Sequence, residues 1–199
     1  MTGIRISLAL WVGASLIPSG AHACACCTDT GQRYVATEKF EDRRRDEVSR
    51  LRFAPTAEFF TGNADLEDLK GLQATTSSYD LKVRHKDNDI VFEFHDKGKS
   101  AGILSLAWPE LISIFEVDPR TDKRSGGLGP GLYKEWSVTG RMVGTGIFVP
   151  GNDAGTRITL ILHGGGNSCG GADDFTAWTL VVAGPNAAYS LIGELLPPR

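Results

Sequence analysis

Tyr79-Asp-Leu-Lys-Val-Arg-His-Lys-Asp-Asn-Asp-Ile-Val-Phe-Glu-Phe-His-Asp96 holds two alternating runs on either side of a turn signal. Leu81, Val83 and His85 alternate with Lys82, Arg84 and Lys86; Asp87-Asn88-Asp89 supplies the turn; Phe92 and Phe94 flank Glu93 beyond it. Successive side chains of a strand point to opposite faces, so this period of two describes strands with one apolar and one wet face. If Asn88-Asp89 forms a two-residue hairpin loop, Val83 pairs with Phe94, His85 with Phe92, and Arg84 with Glu93. Apolar then meets apolar and charge meets countercharge. A three-residue loop would set Arg84 against Phe92 and mix the faces, so the two-residue register is preferred.

The same pattern recurs over Gly102 to Ala107, Ile112 to Val117, Lys134 to Val143, Arg157 to His163, Ala177 to Ala183 and Ala187 to Leu195. In Lys134 to Val143, for example, Trp136, Val138 and Met142 alternate with Glu135, Ser137, Thr139 and Arg141. Many short strands joined by Gly and Asp turns, with little helical periodicity between them, predict an all-β chain: an antiparallel barrel or sandwich of about eight or more strands with at most one or two short helices. The helical candidates are Glu38 to Arg52, where Arg43/Glu47 and Glu41/Arg45 are spaced for ion pairs, and Asp65 to Leu72. A long charged hairpin loop is the alternative for the first of these.

The N-terminus reads as a segment to be removed. Arg5 provides a basic start, Ile6 to Ile17 is uncharged and apolar, Pro18 and Gly20 break it, and Ala21-His22-Ala23 sets small residues at the positions a signal peptidase needs. Residues 1–23 are therefore expected to be a secretory signal peptide, and 24–199 a single all-β domain with a Cys-rich segment at 24–32. Cleavage after Ala25 and lipid attachment at Cys24 are the rival outcomes, the latter weakened by His22 where a small residue is expected. Phe175 to Gly193 is also uncharged, but Gly184-Pro185-Asn186 at its centre predicts two strands around a turn, not a membrane span.

The 199-residue chain has 21 basic and 24 acidic side chains, a net charge of −3 at pH 7 that argues against a nucleic-acid partner. Its 41% hydrophobic and 23% charged content excludes a disordered chain. Absence of an Asn-x-Ser/Thr sequon accords with a bacterial periplasm.

Three of the four cysteines, Cys24, Cys26 and Cys27, lie within four residues, and Cys169 stands far along the chain. In an oxidising compartment this predicts a disulfide that ties the new N-terminus to a late loop; Cys24–Cys27 with Cys26–Cys169 avoids the cramped rings of the other pairings. The alternative is that Cys24, Cys26, Cys27 and Cys169 are thiolate ligands of a soft cation, copper or zinc, or belong to a redox dithiol.

Two motifs resemble catalytic ones. His163-Gly-Gly-Gly166 has the form of an oxyanion segment and Gly166-Asn-Ser-Cys-Gly170 that of a nucleophile elbow. They share Gly166, and no histidine follows Ser168, so a serine triad cannot be assembled in that order. No catalytic residue is assigned. His85 and His95 fall on opposite faces, Asp173-Asp174 should point apart or be solvated, and Arg43-Arg44-Arg45, bracketed by four acids, should form a solvated face. Trp108, Trp136 and Trp178 either line a cavity or fill the core. The expectation is an exported, periplasmic β-domain that binds a small molecule or an envelope partner, without a cofactor and with its N-terminus held by a disulfide. The other reading is a thiol or copper/zinc handling protein.

Overall fold

A computed structural model describes residues 33–86, 88–118, 132–166 and 171–198. Within them lie eleven strands: β1 (Arg33–Lys39), β2 (Arg52–Phe53), β3 (Thr56–Phe60), β4 (Ser78–Lys86), β5 (Asp89–Asp96), β6 (Lys99–Ala107), β7 (Leu111–Val117), β8 (Leu132–Gly146), β9 (Arg157–Gly166), β10 (Phe175–Gly184) and β11 (Ala187–Leu196). One α-helix, α1 (Asp42–Ser49), is found among the described residues. The expected all-β class holds, and the arrangement is a barrel. β3, β4, β5, β6, β8, β9, β10 and β11 follow one another around an antiparallel meander, and the pairing of β11 with β3 closes the ring. Closure removes the free edges that an open sheet of these strands would expose.

The long strand β8 explains two of the three remaining strands. Its C-terminal part pairs with β6 from Met142 to Gly146, while its N-terminal part pairs on that same edge with β7 from Tyr133 to Ser137. β6 thus gives way to β7, which carries β1 on its far side and forms a spur leaving the barrel wall. The two-residue β2 adds to the end of β11.

Alternation fills the interior. Phe92, Phe94, Leu104, Trp136, Val138, Leu160, Trp178, Leu180 and Leu191 are fully buried, and neighbouring rings meet edge-on or tilted, as Phe92 and Trp178 do at 6.0 Å between centroids. The tryptophans expected either to line a cavity or to fill the core therefore divide: Trp136 and Trp178 are core, and Trp108 is a half-buried rim residue. Both barrel mouths are covered. At one, Phe148 packs on Phe94 and Tyr189 below the turn Val149–Gly151, and Gln73 N–H donates to the Ile147 carbonyl. At the other, α1 inserts Val48, and Phe40 before it packs on Trp108 at 5.3 Å.

One predicted register requires correction. Lys86 pairs with Asp89, His85 with Ile90, Val83 with Phe92 and Leu81 with Phe94, so the two-residue connection occupies positions 87–88, not Asn88-Asp89. Moving the loop back by one residue slips the strands by two, which leaves every side chain on its expected face. It sets Lys86 opposite an acid, where the other register would oppose Asp87 to Ile90. Arg84 still reaches Glu93, now diagonally, at 3.0 Å. The Glu38 to Arg52 ambiguity resolves in favour of the helix, and Asp65 to Leu72 contributes one 3-10 turn at Leu66–Asp68. The segment from 175 to 193 is two strands about a Pro185-Asn186 turn, as expected. Among the described residues no helix is long and apolar enough to cross a membrane.

Candidate functional site

The helix-capped mouth gathers the unusual chemistry. Cross-strand pairing there runs from Tyr34 on β1 through Glu116 on β7 and Lys134 on β8 to Gly164 on β9 and Phe175 on β10. Glu116 and Lys134 are buried, as is Asp118 just beyond β7. Gly164 has no side chain, so the lysine stem can pass over it. Lys134 Nζ donates to the Gly171 carbonyl at 2.6 Å, pairs with Asp174 Oδ2 at 3.2 Å and lies 5.3 Å from the centre of the Phe175 ring. A buried ammonium needs such company, because desolvating a lone charge is costly.

The same strand end explains the glycine run. A Cβ at Gly164 would collide with the Asp174 backbone carbonyl, and one at Gly166 with the Asp174 carboxylate. Gly165, on the opposite face, meets nothing closer than the Leu132 carbonyl at 3.2 Å. The His-Gly-Gly-Gly sequence thus makes room for an ion pair and an incoming turn. His163 points to the outer wall, where Nε2 stands 3.5 Å from Thr179 Oγ1.

Beside the ion pair lies a cleft of about 590 Å³. Its walls are the end of α1 and the chain after it (Glu47, Arg50, Leu51, Arg52), the β9–β10 connection (Gly171, Asp173, Phe175) and the C-terminal tail (Leu196, Pro198). Phe175, Leu51, Leu196 and Pro198 provide the apolar surface, and four charged groups stand around it. Arg50 Nε donates to the Asp46 carbonyl at 3.1 Å, and Arg52 to the Pro197 carbonyl at 3.2 Å. Glu47 pairs with Arg43 through Oε1 at 3.7 Å, while its Oε2 is buried and has no hydrogen-bond partner among the described residues.

The remaining candidates are distributed as follows. Asp173 and Asp174 do point apart, the first exposed at the cleft and the second turned in to Lys134. The arginine run is not one solvated face: Arg43 is exposed, but Arg44 pairs with Glu38 at 2.5 Å and lies over Trp136, and Arg45 lies over Phe40 and donates to the Pro109 carbonyl. A helix end inserted into a barrel mouth turns some of its charged side chains onto aromatic rims, and Arg suits that position. His85 shares the face of Leu81 but sits past the rim, stacked on Trp108 at 5.9 Å with rings 8° apart, and burial lowers its pKa. His95 lies elsewhere, opposite Asp80, after a bulge in the β5–β6 pairing. Tyrosines are held neutral: burial, with the adjoining Glu38, raises Tyr34, and burial with the hydrogen bond to Glu135 pushes Tyr133 up to about 12.

Among the described residues no group of three or more His, Cys, Asp or Glu is placed to hold a metal ion. Cys24, Cys26, Cys27, Cys169 and Ser168 lie outside the described residues, as does the whole expected signal segment. The chain matches no family model, no curated protein and no solved structure.

Proposed function

We propose that the protein is an exported β-barrel that binds a small molecule in the cleft between α1, the β9–β10 connection and the C-terminal tail, with its N-terminus fastened by a disulfide. The observation that carries this reading is where space remains. The barrel interior, the usual calyx of an eight-stranded meander, is filled with side chains and covered at both ends. The cleft beside α1 has the volume of a small-molecule site, which is roughly 300–1,000 Å³, and joins apolar walls to a few charged groups.

Topology supports the fastening. Arg33 stands in the row Arg33–Val117–Tyr133–Gly165, three strand spacings or about 14 Å from the point where β9 ends. Cys27 is six steps along the chain from Arg33 and Cys169 three steps from Gly166, and each extended step covers at most about 3.6 Å. The two tethers together exceed that gap, which supports a bond between Cys169 and a member of the N-terminal cluster.

Two measurements test the reading. Intact mass of the exported protein, alkylated before and after reduction, should show loss of residues 1–23 and thiols that appear only on reduction. A thermal-shift screen of small charged and amphipathic compounds should give stabilising hits on the wild type that vanish in Asp173→Trp, which fills the cleft from an exposed position. Hits of equal size in both proteins, or no hit at all, would remove the cleft as a binding site. Stoichiometric copper or zinc in anaerobically purified protein, lost in Cys26→Ser, would favour metal handling instead.

A further inference from the structure

We infer that the cleft is built for a zwitterion: a ligand of dipeptide size with an ammonium and a carboxylate separated by an apolar body. The inference rests on the cleft reading above and adds the chemistry of its occupant. Four ionic side chains, Glu47, Arg50, Arg52 and Asp173, line one space of about 590 Å³. Among the described residues none of them pairs with another of the four. The arginines are instead held at their carbonyl contacts to Asp46 and Pro197, which fixes their stems and leaves donor nitrogens unspent.

Glu47 is the sharpest of the four. It is tied by Oε1 to Arg43, and its other oxygen is buried without a donor. A buried acceptor left unmade carries a desolvation penalty, and turning the carboxylate toward the cleft would let a ligand N–H relieve it. Arg50 and Arg52 supply the opposite requirement, a carboxylate that can accept from a planar guanidinium. In the same lining, Leu51, Phe175 and Leu196 offer apolar surface for a side chain. A purely anionic ligand would leave Glu47 and Asp173 facing it, and a purely cationic one would meet the two arginines, so each singly charged class meets repulsion that the zwitterion avoids.

The test uses the full exported protein and the dipeptide L-phenylalanyl-L-alanine, with its N-acetylated and C-amidated forms, in titration calorimetry. Free dipeptide should bind, and each cap should weaken binding at least tenfold. Glu47→Gln should weaken the free dipeptide by a similar factor yet leave the N-acetylated form unchanged, and Arg50→Gln should do the same toward the C-amidated form. The matched pairs separate lost recognition from poor folding, since a misfolded variant would lose every form alike. If all three forms bind within twofold of one another and Asp173→Trp abolishes each, the cleft stands and the zwitterion falls. If the dipeptide does not bind at millimolar concentration while the thermal-shift screen gives cleft-dependent hits, the zwitterion also falls alone. Failure of both experiments removes the cleft itself.

Discussion

Lys134 Nζ stands 3.2 Å from Asp174 Oδ2, on a stretch of β8 where none of the lysine side chain reaches solvent. A second buried acid, Glu116, is the direct cross-strand neighbour of Lys134. Removing one member of a buried set strands the charge of the others, whereas removing opposite members together is close to neutral. Lys134→Met should therefore lower stability by about 3 kcal/mol in urea titrations, and Lys134→Met with Glu116→Leu should recover most of that loss. A single variant within 1 kcal/mol of wild type would show that the lysine is not balancing buried acid.

The glycine run before position 167 should respond in a fixed order. Gly164→Ala drives its methyl group into backbone, which cannot yield, while Gly166→Ala meets a carboxylate that can swing aside only by leaving Lys134. Gly165 faces outward, where an added methyl meets only the Leu132 carbonyl at 3.2 Å, a tight contact that a small shift relieves. Overpacking of this kind costs about 1–3 kcal/mol. Thermal midpoints should therefore fall most in Gly164→Ala, less in Gly166→Ala and little in Gly165→Ala. An oxyanion role for these glycines predicts no such order.

Much of this barrel could be read from one-residue alternation, because a strand buried on one face must alternate. Every run marked by the pattern from Tyr79 onward is a strand, including the Trp136 and Trp178 strands whose large side chains fill the interior. What the pattern could not set was registration by an even number of residues. Slipping β4 against β5 by two changes Val83's partner from Phe94 to Phe92 without moving any side chain to the other face. Only the local chemistry of the turn, Lys86 opposite Asp89, distinguishes the two.

The site was harder to see for a related reason. The alternation that places Trp136 inside also places Lys134 inside, but a lysine at the start of a strand looks like an ordinary charged edge. Its burial depends on Asp174 and on the bare backbone of Gly164, which are distant in sequence. The cleft is likewise assembled from three separated segments, around 47–52, 171–175 and 196–198. A signal was nevertheless present: glycines at alternate positions 164 and 166 on the inward face of an apolar strand imply a neighbour pressed against it.

His85 should make the folded protein sensitive to mild acid. Burial of the imidazole, whose ring stacks on Trp108, lowers its pKa below the ordinary 6.5, so the fold prefers the neutral ring. As pH falls through 6.5 the unfolded chain takes up this proton first, and stability declines from there down to the folded-state pKa. A proton-NMR titration should place His85 below 6.5 in the wild type and shift it back up in Trp108→Ala. In urea titrations, His85→Gln should flatten the corresponding part of the stability profile. A wild-type midpoint at or above 6.5 would rule out this source of acid sensitivity.

Arg44 joins the helix to the barrel by two different contacts, and the conservative substitution should expose both. Its guanidinium pairs with Glu38 at 2.5 Å and lies 5.5 Å from the centre of the Trp136 ring, with most of the side chain covered. A lysine can keep the charge but cannot both stack its head flat on an indole and present a fork to a carboxylate. Arg44→Ala should cost about 1–2 kcal/mol, the sum expected for a solvent-screened ion pair and a modest cation–π contact. Arg44→Lys should recover less than half of that. Hydrogen exchange supplies the local readout: amides of α1 should exchange faster in both variants while those of β5 and β10, deep in the barrel, keep their protection. Uniform loss of protection in Arg44→Lys would mean that the arginine holds the barrel as a whole, not the helix that covers its mouth.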